Sequence, residues 1–192
     1  MPSLIQTNIS KIKNLKLSVV QHENTFLLDY KRGVDLNTRK LIYITAKVTS
    51  NSLDKGFDLL EESLRKALQI GIRPGDYGKQ YIPTRLGGDG IVRNVFPLNK
   101  DVDVTKWNAN QDLVYNHVKS EKNNGYAILH FGVVYDKKLK EYPYRPFKIY
   151  YIYELYQDDK MVHQIEGVLK NESPKVTNKN FVRDALEMPY VF

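Results

Sequence analysis

The chain contains no cysteine among its 192 residues, and no stretch approaches the roughly 18 consecutive apolar residues that indicate a transmembrane helix. Without cysteine there is no disulfide framework, thiolate zinc site or thiol nucleophile, so a bound metal would need oxygen or imidazole ligands. The first part of the chain mixes lysines with scattered apolar residues and lacks the continuous apolar segment of a signal peptide. We therefore expect a soluble protein with no membrane partner.

The residues that are present indicate a folded domain with a basic surface. The hydrophobic fraction is 42%, and 14 tyrosines give an aromatic content that a disordered chain would not carry. The formal net charge is +7. Such a charge attracts polyanions, of which nucleic acid is the commonest, and the alternative is a basic surface without any such partner.

Hydrophobic periodicity predicts an α+β fold. Residues 1–24 are polar and predict an N-terminal arm or edge element, whereas residues 25–192 predict a single domain with its core motif at 71–120. Two strands within 25–50 would flank a turn centred on Gly33. An amphipathic helix is predicted over 51–69, because apolar residues recur there at helical spacing. Asn51 or Ser52 would cap its start, and Gly71 would end it.

The second half of the chain predicts a loop region, a helix and three strands. Residues 71–99 are rich in Gly and Pro and predict an ordered loop with little regular structure. A second amphipathic helix is predicted from Thr105 to Lys119, with Thr105 near its N-cap. The segments "GYAILHFGVVYD" and "RPFKIYYIYELYQ" predict adjacent strands, and "KMVHQIEGVL" predicts a third after the turn "QDDK". A loop-plus-helix insert therefore separates the halves of an antiparallel sheet.

An ordered series of glycines, asparagines and proline-broken apolar residues runs through the predicted loop. In chain order the series is Asp76, Gly78, Gln80, Ile82-Pro83, Gly87-Gly88-Asp89-Gly90, Asn94-Val95-Phe96-Pro97, Asn99 and Trp107. It resembles the DNA/RNA non-specific endonuclease family, whose members carry a ββα-metal (His-Me finger) active site. A weaker similarity extends over roughly residues 25 to 170 and includes Arg145-Pro146, which precedes a long strand.

The resemblance implies a general-base histidine, an acidic residue on the following helix and a Mg²⁺ ion held by oxygen ligands. In this chain Gln80 occupies the position of the base and Gln111 that of the acid. The candidate metal ligands are Asn94, Asn99 and Asp103. A carboxamide cannot take up a proton, and the loss of general-base assistance costs about 10²–10⁴ in rate. We therefore expect impaired catalysis.

None of the four histidines is expected to replace the missing base. His130 and His163 lie in apolar strands and are predicted to be satisfied strand histidines. His117 is six residues from Gln111 and would point to another face of the helix, and His22 lies in the arm.

Basic and aromatic side chains supply candidate contacts to nucleic acid. Arg85 is predicted to stabilise charge at the reacting phosphate, and the predicted backbone contacts are Arg73, Lys79, Arg93 and Arg145. Ordinary solvated loop charge is the alternative. The tyrosines between 142 and 156 would either stack on bases or, as we favour, pack their rings on the helix.

Three functions remain open from the sequence. The first is an endonuclease-like protein with a degenerate active site, a pseudonuclease, which binds DNA or RNA or a protein partner. The second is an active Mg²⁺-dependent non-specific endonuclease or nuclease toxin domain, either with a relocated base or with its histidine replaced by substitution at residue 80. The third is a protein-interaction module, such as an effector, decoy or immunity-type partner, that uses the nuclease fold only as a scaffold. The expected protein partner is an inhibitor or immunity-type protein.

Overall fold

A computed structural model describes residues 3–13, 17–21, 26–62, 73, 75–120, 124–138 and 141–172. Its largest element is a six-stranded antiparallel sheet, in which every neighbouring pair is antiparallel. In spatial order the strands are β1 (Leu17–Gln21), β2 (Leu28–Asp35), β3 (Leu41–Val48), β6 (Tyr126–Tyr135), β7 (Pro146–Gln157) and β8 (Lys160–Lys170). The predicted α+β class is confirmed.

A ββα unit is inserted between β3 and β6. Strand β4 (Asp76–Gln80) pairs antiparallel with β5 (Val95–Asn99), so that Gln80 lies opposite Val95. The connection between them contains two short 3-10 turns, Thr84–Leu86 and Val92–Asn94. Helix α2 (Thr105–Lys119) follows β5. The prediction of an irregular loop over 71–99 was therefore wrong for β4 and β5, two strands that the Gly and Pro content concealed.

The two faces of the large sheet are covered differently. Alternate residues of β6 and β7 point to the face covered by the ββα unit, where Trp107 of α2 lies 5.8 Å from the Phe131 ring and 5.0 Å from the Tyr151 ring between centroids. Burying each large side chain contributes about 1.5–3 kcal/mol. Helix α1 (Leu4–Lys13) covers the opposite face, where Ile9 packs with Tyr43 and Ile152. The sheet therefore separates α1 from the ββα unit.

The predicted helix over 51–69 does not form in its described first half. Residues Ser50–Ser52 make a single 3-10 turn, and no helix covers residues 53–60. Residues 61 and 62 are helical, whereas 63–69 and Gly71 lie outside the described residues. Residues 54–60, called here the crossing segment, bond instead to the β4–β5 connection, and these backbone bonds outweigh the helical apolar spacing.

Other local predictions had mixed outcomes. Gly33 lies inside β2 opposite Tyr43, so the turn falls at residues 36–40 instead. Within residues 1–24, β1 is an edge strand as predicted, but α1 was not predicted. The helix from Thr105 to Lys119 and the three final strands are confirmed, including the turn at Asp158 and Asp159. In the described part of the chain, no helix has both the length and the apolar character to cross a membrane.

Candidate active site on the ββα unit

Gln80 ends β4, and both ends of its side-chain amide are bonded within the protein. Its Nε2 donates to Phe57 O and to Asp89 O, each at 3.0 Å. Its Oε1 lies 3.2 Å from the Thr84 hydroxyl, which is also 3.2 Å from Asp58 Oδ1. The amide therefore bridges the crossing segment and the β4–β5 connection. An imidazole has one acceptor or donor at each ring nitrogen and could not reproduce all of these bonds.

Backbone hydrogen bonds hold the crossing segment directly against the β4–β5 connection. Gly56 N donates to Thr84 O, Phe57 N to Gly88 O, and Leu60 N to Gly90 O, at 3.0 to 3.1 Å. A Cβ on Gly88 would lie 1.8 Å from Ile82 O, and one on Gly90 would lie 1.7 Å from Asp58 O. Only glycine permits this approach. The glycines of the family-like series thus serve backbone packing beside Gln80.

Gln111, at the position of the family acid, is 3% exposed. Its Nε2 donates to Tyr81 O at 3.2 Å, which joins α2 to the residue after Gln80. An amide donor satisfies a buried carbonyl there, whereas a carboxylate at the same place would face it with an acceptor. Gln80 and Gln111 therefore share one property: each contributes an amide N–H to backbone carbonyls of the ββα region.

Two of the three described histidines, His130 and His117, form hydrogen bonds away from Gln80. His130 Nδ1 lies 2.8 Å from the Tyr43 hydroxyl and 3.1 Å from Thr45 Oγ1, on the sheet face that α1 covers. Burial raises the pKa of Tyr43 to about 12. His117 Nε2 lies 2.8 Å from Tyr156 O. His163 is exposed on β8, so its prediction as a satisfied strand histidine was wrong. His22 lies outside the described residues.

The predicted metal ligands do not converge. Asn94 is 1% exposed, and its amide bonds to Ile82 N, Ile82 O and Asp89 O at 2.8 to 3.0 Å. Asn99 Oδ1 accepts from Asp101 N. Asp103 accepts from Thr105 N at 2.8 Å at the start of α2, and hydrogen bonds from the Thr105 side chain and backbone lower the pKa of its carboxyl. Among the described residues, no group of three or more His, Cys, Asp or Glu could hold a metal. The Asn94 amide is therefore occupied by partners within the protein.

Thr105 is the first helical residue of α2 and not its cap. The residue before the helix is Val104, and the side chain that accepts from the helix start is that of Asp103. The predicted N-cap at Thr105 was therefore misplaced by one or two residues, because Asp103 satisfies the first backbone donor.

Arg145 belongs to a buried network that sequence reasoning missed. Its guanidinium bonds to both carboxylate oxygens of Asp76, at 2.6 and 2.9 Å, and to the backbone and side-chain oxygens of Asn171 at 2.7 and 2.8 Å. Asn171 Nδ2 in turn donates to Pro97 O and Pro146 O. Arg145 is 2% exposed, so its placement does not support the predicted contact with nucleic acid. The motif gave the identities of Asp76 and Arg145, but no sequence signal pointed to Asn171.

Lys79 and Arg85 face the first turns of α2. Lys79 Nζ donates to Asn108 Oδ1 at 3.2 Å, and Arg85 forms an ion pair with Asp112 and also reaches Asn108 O. Burial lowers the pKa of Lys79, and the neighbouring Arg85 lowers it further. Two predicted cations are thus brought together at α2. Lys79 precedes Gln80 on β4, where successive side chains project to opposite faces, so Lys79 faces α2 while the Gln80 amide faces the crossing segment.

Arg73 and Arg93 lie apart from this pair of cations. The guanidinium of Arg73 lies 5.3 Å from the centroid of the Tyr142 ring. Arg93 donates to Asp89 Oδ2 from Nε at 3.2 Å and from Nη2 at 2.8 Å. The tyrosine prediction that we favoured holds for Tyr151, whose ring packs on Trp107 in the core.

Comparison with solved structures connects this architecture with nucleases. The chain is similar to a chain of the EndoG/EndoGI complex, with a TM-score of 0.51 and 14% identity over 90% of this chain and 81% of the other. It is also similar to an extracellular endonuclease, with a TM-score of 0.50 and 9% identity over 84% of this chain and 92% of the other. The chain has an endonuclease-like fold. No protein-family model and no curated protein matches it, and identities this low support the fold alone.

The chemistry available at the end of β4 is limited. Gln80, Gln111 and Thr84 do not titrate near neutral pH. The one carboxylate that the described hydrogen bonds join to them is that of Asp58, which lies beside the Thr84 hydroxyl. At the end of β4 the Gln80 amide therefore offers hydrogen-bond donors to backbone carbonyls and no proton acceptor of its own.

Proposed function

We propose that this protein is an endonuclease-like protein with a degenerate active site, which binds DNA or RNA without hydrolysing it at a useful rate. The observation that carries the proposal is the amide of Gln80, bonded at both ends where the resemblance implies a general base. An amide neither accepts a proton from water nor leaves its three partners without cost. Phosphodiester hydrolysis therefore lacks its base, while the backbone of the ββα unit is retained.

The binding surface of the proposal contains Lys79 and Arg85. Both cations project beside α2, and the chain carries a net charge of +7. Neutralisation of phosphates by such cations releases counterions, so the affinity falls steeply as salt rises. Asp112 already offsets part of the Arg85 charge, so this surface should bind phosphate less tightly than two unpaired cations would.

A cleavage assay tests the catalytic half of the proposal. Purified protein is incubated with plasmid DNA and with RNA across a range of Mg²⁺ and Mn²⁺ concentrations, beside the variants Gln80→Ala and Asp58→Asn. We expect no digestion above the metal background in any sample. Rapid digestion that persists in Gln80→Ala would overturn the proposal. If Asp58→Asn abolished that digestion, Asp58 would be identified as a relocated base, because its carboxylate lies beside Thr84.

The variant Gln80→His tests whether the protein is an endonuclease that lost its activity through one substitution, at residue 80. Gln157→His, at the end of β7, is the matched control because it adds an imidazole far along another strand. A strong gain of cleavage in Gln80→His alone would show that residue 80 is the single lesion. We expect little gain, because Gln111 stands where the resemblance implies an acidic residue, so the base is not the only departure from the family pattern.

Protein binding is the second candidate function. It is favoured by Met161 and Val162, which are each 53% exposed on the edge strand β8. An edge strand offers backbone groups to a further strand. The EndoG/EndoGI structure concerns inhibition of a nuclease by a protein partner. A shift assay separates the candidates, because binding to nucleic acid must weaken as salt rises, whereas apolar docking need not.

A further inference from the structure

A cavity of about 210 Å³ lies on the side of the β4–β5 hairpin that faces the ends of β2, β3 and β6. Its apolar lining includes Tyr81, Phe96, Pro97 and Pro146. Pockets for drug-sized ligands are roughly 300–1,000 Å³, so this cavity can enclose only part of a mononucleotide, such as its sugar phosphate, with the remainder at the exposed edge of the cavity.

Three guanidinium groups line the same cavity, from Arg32, Arg39 and Arg93, and no acidic side chain is among the described residues that line it. Burial lowers the pKa of Arg32, and the nearby Arg93 lowers it further, against the opposite effects of Tyr30 and Asp89. Arg93 is oriented by its two bonds to Asp89, which offset part of its charge. The charges of Arg32 and Arg39 remain in excess, and a concave site with this excess of positive charge fits an anion.

The position of Arg39 is fixed by an ordered turn. Its φ is +58°, a left-handed conformation that a residue with a long side chain rarely adopts. Arg39 N donates to Asp35 O at 2.8 Å, and Asp35 Oδ1 accepts from Thr38 N at 2.7 Å. Strain of this kind persists only where the surroundings impose it, and it concentrates at binding sites.

Two further tyrosine rings line the cavity, and an additional cation, Lys40, lies near both of them. Lys40 Nζ lies 5.1 Å from the centroid of the Tyr135 ring and 5.8 Å from that of the Tyr144 ring. The Tyr135 hydroxyl donates to Leu41 O at 2.8 Å, which fixes that ring, whereas Tyr144 is 42% exposed. An exposed aromatic ring next to cations is the arrangement on which bases stack.

We propose that this cavity binds one nucleoside monophosphate unit, with the phosphate on the arginines and the base against the Tyr144 ring. Guanidinium groups recognise phosphate oxygens through paired hydrogen bonds, and a tyrosine ring accepts any base. The unit is either a free nucleotide or the phosphorylated end of a strand. The site is separate from Gln80 and is independent of cleavage, although Asp89 contacts both: its O accepts from Gln80, and its carboxylate holds Arg93.

Calorimetric titration of the full chain tests the proposal, with adenosine 5′-monophosphate, adenosine and inorganic phosphate as separate probes at one salt concentration. The monophosphate should bind at least about tenfold more tightly than either part, because it uses both the charged and the aromatic contacts. A 5′-phosphorylated dinucleotide distinguishes the sources: tighter binding than the mononucleotide assigns a strand end, and weaker binding assigns a free nucleotide.

Two exposed positions supply the variants. Arg39→Asn removes the charge with a residue that tolerates positive φ, and Tyr144→Ser removes the ring. Each should weaken binding of the monophosphate about tenfold or more, whereas Tyr144→Phe, which keeps the ring, and Lys160→Gln, at the β7–β8 turn, should leave it unchanged. Unfolding curves like that of the unmodified protein show that the variants fold.

Any of three results would overturn the proposal: no saturable binding of the monophosphate, binding that survives both Arg39→Asn and Tyr144→Ser, or equal affinity for inorganic phosphate, which would exclude a base-binding site. These results are distinguishable from failure of the proposed function, which depends on Lys79 and Arg85 and is read from long nucleic acid. Loss of one kind of binding leaves the other measurable.

Discussion

Asp76 and Arg145 form a two-bond ion pair across 69 positions of sequence, with Nε–Oδ2 at 2.6 Å, Nη2–Oδ1 at 2.9 Å and side chains only 0% and 1% exposed. The pair joins the first residue of β4 to the residue before β7. It therefore fixes the ββα unit to the large sheet at the end opposite Gln80.

Removing one partner of this pair should be strongly destabilising. Asp76→Asn leaves a buried guanidinium without its counter-charge, and we expect a loss of about 3–5 kcal/mol in the free energy of unfolding. Asp101→Asn is the control, because Asp101 is exposed at the turn after β5 and should change stability by less than about 0.5 kcal/mol. Urea unfolding measures both, and equal effects would show that the pair has no structural role.

Substitution of Gln80 should lower stability in a way that depends on pH. Gln80→Ala loses three hydrogen bonds and should cost about 1–3 kcal/mol. Gln80→Glu places a carboxylate against the Phe57 and Asp89 carbonyls, which raises the pKa of the new carboxyl. A raised pKa means stability that is present in acid and lost as pH rises, so Gln80→Glu should be less stable relative to Gln80→Ala at neutral pH than in acid. Unfolding of both variants at neutral and acidic pH measures this difference. A difference that does not change with pH would contradict the prediction.

At Gly88 the β4–β5 connection folds back so closely that its own backbone leaves no room for a side chain. Gly88→Ala would place a Cβ 1.8 Å from Ile82 O and should cost several kcal/mol, on the order of 3 or more, because backbone must move. Gly75→Ala is the control: its φ is +83°, but the nearest atom would lie at 3.6 Å, so only the conformational cost of about 1–3 kcal/mol applies. Thermal unfolding of both variants should separate steric from conformational strain, and a Gly88→Ala protein as stable as Gly75→Ala would refute the approach.

Asp112 should weaken the binding of nucleic acid by holding Arg85. Asp112→Asn releases the guanidinium and should raise the affinity. Arg85→Gln should lower the affinity and reduce the slope of log K against log salt by about 0.9, because one phosphate is no longer neutralised. Lys160→Gln is the control on a distant turn. Fluorescence anisotropy with a labelled duplex measures the slopes. Affinity changes opposite to those expected, or the same slope of log K against log salt in all proteins, would show that the nucleic acid binds elsewhere.

Asp103 should make the start of α2 sensitive to acid. Hydrogen bonds from the Thr105 side chain and backbone lower the pKa of its carboxyl. A depressed pKa gives stability that is present above the unfolded value and is lost as pH falls through the folded value. The stability difference between the unmodified protein and Asp103→Ala should therefore shrink as the solution is acidified. Melting temperatures across the acid range check this, and a constant difference would contradict it.

Much of the fold could be predicted because its signals are local. The helix from Thr105 to Lys119 and the strand pairs of β6, β7 and β8 follow from periodicity and turn residues alone. The crossing segment could not be predicted, because the apolar spacing of Leu53, Phe57 and Leu60 favours a helix. Its extended course depends on Gly56 meeting Thr84 O, a contact between distant parts of the chain.

The sequence proposed residues for a candidate site, but it could not give the contacts that these residues make. The family-like series indicated Gln80 and Gln111, and the structure shows why each carries an amide, since both donate to backbone carbonyls. The roles of Asn94 and Arg145 as buried structural residues required coordinates, because an asparagine or arginine in a motif has the same letter whether it faces solvent or the core. Their predicted metal and nucleic-acid contacts rested on the motif alone.

The hydrogen bonds of the Gln80 amide to two chain segments also affect how such a protein could evolve. The side chain at position 80 joins two separate chain segments, and it is also the one that would have to become a proton acceptor. Any replacement there therefore changes the stability and the reactivity of the protein at the same time. A variant that gained hydrolysis through this position would need another link between Phe57 and Asp89. Laboratory evolution towards cleavage should therefore accumulate substitutions in residues 54–60 before or together with histidine at position 80.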